Sequence, residues 1–270
     1  MGVDLGVELG EVFIQSATMC AERICRMTST KIITIAKLVE YAFASPQRRA
    51  SIIENALTPP VFILDTKYPE IEKAACHFLA SHCSSDVRLV ELDEQFKRQE
   101  VHTNHQEDRI FNAHDAIAHT REMKWPTEAE LQLTPNLPKD FEIEGISVRV
   151  KPNVVAIQAK KGLKERSIGV VKPYYSRSFP LHSGTDAERG VLFATAIHWY
   201  VEQQLDHLGA ADPGICFVGD VFSRRVHFGA PRFTQRRKQL TSIAQEIADR
   251  WEPIRLRKLS ILEKVATRRS

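Results

Sequence analysis

The sequence predicts an α/β chain of the α+β kind, with an N-terminal helical region ahead of a core ordered helix, three strands, helix, two strands, helix. Two observations carry this. Apolar residues recur at helical spacing in several separated stretches, and β-branched runs with period-two alternation lie between the later ones. The 270 residues, 43% hydrophobic and 26% charged, are ordinary globular usage and enough for one large or two small domains.

Residues 1–30 carry weak periodicity and the polar junction Met27-Thr28-Ser29-Thr30, which predicts a poorly ordered or dispensable extension. From Ile35 the positions Leu38, Val39, Ala42 and Phe43 form one helical stripe. Ser45 as N-cap and Pro46 in the first turn open a second helix carrying Ile52, Ile53 and Leu57, stopped by Pro59-Pro60. Pro69 opens a third with Ile71, Ala74, Ala75, Phe78 and Leu79, which completes a helical region over 31–100.

A core over 106–252 follows. It begins with a charged helix at 106–124 and a proline-punctuated linker at 125–140. Strands are expected at 143–150, 153–159 and 167–175, adjacent and antiparallel, with a turn at 160–166. A broad-faced helix at 185–208, a strand pair at 215–221 and 225–229, and a helix from 232 to Trp251 complete it, leaving 253–270 as a basic tail.

No uncharged apolar run reaches the ~18 residues of a membrane span, and no basic leader opens the chain. Five cysteines do not make a disulfide framework. A cytoplasmic protein without membrane contact is expected. Net charge is +3, yet residues 221–270 hold 13 Lys/Arg against 4 Asp/Glu, so that segment carries +9 and the remainder −6. Concentrated positive charge attracts polyanions through counterion release. Its candidates are Arg224 and Arg225 at a hairpin tip, with Arg232, Arg236, Arg237 and Lys238 on the helix after it.

Pro152-Asn153 opens the second strand, and after sixteen intervening residues Val170-Val171-Lys172 lies on the third. With the element order, these residues resemble the αβββαβ restriction-endonuclease-like core of the PD-(D/E)xK nuclease-like superfamily, over about residues 106–250. The resemblance implies a phosphodiesterase site in which two acids hold Mg²⁺ and the lysine stabilises developing negative charge. Here Asn153 and Val170 stand at the acid positions, a poor set for Mg²⁺. Some members of the superfamily carry the second acid on the following helix, where Asp186 and Glu188 lie. The implied site is Asn153, Lys172 and Glu188, vestigial or rearranged, in a protein that binds nucleic acid or a protein partner without cleaving and acts near restriction, repair or defence. No cofactor is expected. The alternatives are an active metal-dependent nuclease using the same three residues with Mg²⁺, and an interaction scaffold that docks a protein partner through the N-terminal helices at 31–83.

Tyr174, Tyr175, Arg177 and Phe179 mix stacking and cationic groups, as nucleic-acid binders and packed sheets both do. His102, His105, His114 and His119 lack the spacing of a metal site. His114 shares the apolar stripe with Ile110 and Ile117, which predicts a hydrogen-bonded core histidine.

Overall fold

The structure, a computed structural model, describes residues 30–58, 68–159, 166–182, 187–230 and 232–267. The expected N-terminal extension, Pro59-Pro60, most of the 160–166 turn and Asp186 lie outside the described residues.

Strand β1 (Ile32–Thr34) leads directly into helix α1 (Ile35–Phe43), whose N-cap Thr34 accepts from the Lys37 amide. Helix α2 (Pro46–Leu57) starts as its sequence requires, with Ser45 Oγ accepting from the Arg48 amide at 3.3 Å and proline in the first turn. Helix α3 (Tyr68–Ala80) ends where His82 and Cys83 take positive φ. Helix α4 (Val87–Lys97), charged and weakly amphipathic, was not anticipated; it is seated by Leu89 and Phe96. Helix α5 (Asn104–Glu122) closes this half.

The β portion differs from expectation in a specific way. Residues 140–149 form a tight hairpin, β3 (Asp140–Ile143) and β4 (Ile146–Arg149), around Glu144 and Gly145 at φ 49° and 70°. With β1 parallel to β4 they make a separate three-stranded sheet, β1-β4-β3. Residues 143–175 are therefore not three adjacent antiparallel strands. The supposed linker instead contains β2 (Glu130–Leu133), which pairs antiparallel with β5 (Val154–Ala159) and so supplies the missing neighbour. Strand β6 (Arg166–Tyr174) completes an antiparallel meander.

Helix α6 (Glu188–Gln204) then crosses over to β8 (Phe217–Asp220), parallel to β6, after a two-residue strand β7 (Ala210–Ala211). Strand β9 (Arg225–Phe228) folds back as the outer edge, giving the main-sheet order β2-β5-β6-β8-β9. Helix α7 (Phe233–Thr267) does not stop at Trp251 but runs through Pro253. The expected tail is thus helical to residue 267. Lys258 Nζ on the Glu54 carbonyl at 2.7 Å and Arg257 on the Glu54 carboxylate tie it to α2.

Alternation explains the layers. Val154, Ala156, Val171 and Phe217 face α3, α4 and α5, whereas Val155, Val170 and Val218 face α6 in a second core that also takes in α1, α2, α7 and the small sheet. Buried on both faces, β5 and β6 read as near-continuous apolar runs. The expected helical region is thus divided: α1 and α2 pack on one side of the main sheet, α3 and α4 on the other. Among the described residues no helix is long and apolar enough to cross a membrane.

Candidate functional site

Asn153 lies one residue before the last registered pair of β5 and β6, Val154 with Val171, which sets it beside Lys172 across the ladder. The β5 ladder stops there, so the strand passes Pro173 paired only to β8, where a missing amide is tolerated. Proline marks neither the end of the strand nor a break in the β8 pairing, which continues to Tyr174.

The carboxylate that meets Lys172 is Glu72, from the second turn of α3. Lys172 Nζ donates to Glu72 Oε1 and, at 3.3 Å, to the carbonyl of Lys151. The two side chains are 13% and 26% exposed. Glu72, Lys172 and Asn153 surround the buried Cys76 thiol; burial and the Glu72 charge push its pKa up to about 12, against the opposing effects of Lys172 and the Asn153 hydrogen bond. The thiol is therefore protonated and inert as a nucleophile.

Glu188 lies in the first turn of α6, 56% exposed, and accepts from Arg236 Nη2 at 2.9 Å. The expected trio thus divides: Asn153 and Lys172 adjoin, Glu188 pairs with α7, and Glu72 supplies the acid next to the lysine. Glu72 and Lys172 are 100 residues apart, with no local spacing to link them. Val170, fully buried, faces the core. These residues do not fit Mg²⁺, because the single carboxylate is already engaged by an ammonium and its neighbours offer an amide and a thiol. Among the described residues no group of three or more His, Cys, Asp and Glu is placed to hold a metal ion.

The basic candidates separate just as clearly. Arg237 is a packing residue: its side chain is 19% exposed, meets Glu202 at 2.5 Å, and lies over the rings of Phe233 (4.3 Å) and Trp199 (5.3 Å). It also donates to Nδ1 of His198, whose pKa burial lowers. Arg224 pairs with Glu122 at 2.7 Å. Arg225, Arg232 and Lys238 are exposed, running from the β8–β9 tip past the β9 edge to the first turns of α7.

The aromatic candidates turn inward. Tyr174 donates to the Phe179 carbonyl at 2.8 Å, Tyr175 stacks on Tyr68 at 5.8 Å and meets Thr120, and Arg177 covers Phe222 while pairing with Asp115. His114 Nδ1 meets Asp93 Oδ1 at 2.6 Å, between α5 and α4. No protein-family model matches the chain, and no curated protein matches its sequence.

Proposed function

We propose that this chain binds nucleic acid without cutting it, on a nuclease-like core whose catalytic chemistry is lost. The observation that carries the reading is the Lys172–Glu72 ion pair. That pair engages the one carboxylate beside the lysine, whose other neighbours at the acid positions are a neutral asparagine and a buried valine, so no pair of acids is left to hold the metal that phosphodiester cleavage uses. The order α5, β2, β5, β6, α6, β8 supports the nuclease-like reading, with the β3–β4 hairpin as an insertion between the first two core strands. Arg225, Arg232 and Lys238 supply the phosphate-binding charge. The scaffold alternative is less favoured, since α1 and α2 bury Leu38, Val39, Ile52 and Ile53 within the chain's own core.

The test is an assay of the purified full chain with labelled duplex and single-stranded DNA and RNA, with Mg²⁺ or Mn²⁺ added. Binding without cleavage above background is expected. Metal-dependent cleavage abolished by Lys172→Ala or Glu72→Gln would establish the active-nuclease alternative, and the absence of any binding would remove the reading altogether.

A further inference from the structure

Beside Lys172 lies a cavity of about 300 Å³. It sits between the start of α1, the start of α3, the end of β4 and the end of β6. Its charged groups are Arg149, Lys151, Lys172 and Glu72, three cations against one carboxylate. Tyr68, Tyr174 and Phe193 contribute aromatic walls. The cations differ in availability. Arg149 is held by Asp140 at 3.0 Å and Lys172 by Glu72, while Lys151 is exposed at a left-handed backbone position, φ 51°.

This composition selects a ligand class. An apolar, aromatic-walled cavity with a few convergent polar groups is the usual form of a small-molecule site, and this volume lies at the lower end of the range for such sites, about 300–1,000 Å³. A surplus of positive charge at one side calls for an anionic group, and the aromatic walls call for a flat hydrophobic body. A larger cavity contrasts with it: at about 720 Å³ it is broad, and Arg166, Glu202 and Asp206 mix their charges there.

We propose that the cavity beside Lys172 binds the phosphomonoester of a nucleoside, with the phosphate toward Lys151 and Lys172 and the base against the half-buried Tyr68. Glu72 occupies the anion position on Lys172, and the phosphate displaces it. Carboxylate and phosphate compete for the same ammonium, so Glu72 sets the affinity. The phosphomonoester is either a free mononucleotide or the phosphorylated end of a strand. The inference stands on this cavity and not on the exposed arginines of the proposed nucleic-acid surface.

The test is calorimetric titration of the full chain with AMP, GMP, CMP and UMP, with adenosine and inorganic phosphate as separate probes, and with short oligonucleotides bearing a 5′-phosphate or a 5′-hydroxyl. At least one mononucleotide should bind with Kd of about 1 mM or tighter, and at least tenfold tighter than either half alone, each tenfold corresponding to about 1.4 kcal/mol. Lys151→Met should weaken binding about tenfold. Glu72→Gln should strengthen it several-fold, a direction that general damage to the fold would not produce. Oligonucleotide binding that requires the 5′-phosphate would assign the site to strand ends, and binding of mononucleotides alone would assign it to the free ligand. The combined Arg225, Arg232 and Lys238 variant described below should leave mononucleotide affinity unchanged, which separates failure of this proposal from failure of the nucleic-acid reading. No mononucleotide binding, or binding indifferent to both Lys151→Met and Glu72→Gln, would overturn the assignment.

Discussion

Replacing Arg225, Arg232 and Lys238 together with serine removes the exposed cations on the path from the β8–β9 tip to α7, and leaves Arg237 in its packing role between α6 and α7. If each of the three neutralises one phosphate of duplex DNA, the plot of log K against log salt should be shallower in the variant by about 0.9 per lost contact, or about 2.7 in all. Raising salt fourfold, from about 50 to about 200 mM, would then cost the natural protein about 40-fold more affinity than it costs the variant. Fluorescence anisotropy of a short labelled duplex across that range measures both slopes. Equal slopes would refute the reasoning, because they would mean that these three side chains touch no phosphate. Arg237→Glu is a poor substitute for this experiment. It would place a carboxylate beside Glu202 under the Phe233 and Trp199 rings, so loss of binding could follow from loss of fold.

Two further predictions concern the framework. A Cβ at Gly219 would lie 2.3 Å from the buried Trp125 ring and 2.9 Å from Met123 Cε, so Gly219→Ala should destabilise by about 1–3 kcal/mol in urea denaturation; the same change in a Trp125→Leu background should cost at least 1 kcal/mol less, and equal costs would show that the indole is not the obstacle. Burial pushes the Glu40 carboxyl upward, but Lys37 and Arg48, at 2.5 and 2.6 Å, outweigh it and hold its pKa below the ordinary value; the stability this contributes is present above the unfolded carboxylate pKa and is lost as pH falls through the folded one, so Glu40→Gln should flatten the decline in denaturation midpoint on acidification from about pH 5.

The sequence is most legible where burial and period coincide. The run through β5 and β6 and the broad face of α6 need no distant information, because each is apolar on the sides its neighbours cover. Strand β2 escapes notice because it is four residues long, flanked by Pro126 and Pro135, and its partner begins at Val154. The β3–β4 hairpin is hidden because Glu144-Gly145 lacks the Asn-Gly or Asp-Gly signature, so Ile143 and Ile146 read as parts of one strand. Lys172 stands out by motif, whereas Glu72 comes from a helix 100 residues earlier that only tertiary packing brings to it. The basic cluster was visible as charge, but its division into packing and exposed members depends on which side chains reach Glu188, Glu202 and the Trp199 ring.

The pairing of β1 with β4 joins Ile32 to Ser147, and Lys31 reaches further still, to the Ala248 carbonyl of α7. During vectorial synthesis, at about 5–20 residues per second, roughly 10–40 s separate the emergence of β1 and α1 from that of the helix which closes over them. For that interval Ile33, Leu38, Tyr41, Ile52, Ile53 and Leu57, all buried in the finished chain, lack the cover of that helix. The first helices among the described residues are thus among the last to be fully enclosed, an order of burial that the chain's ordinary composition does not advertise.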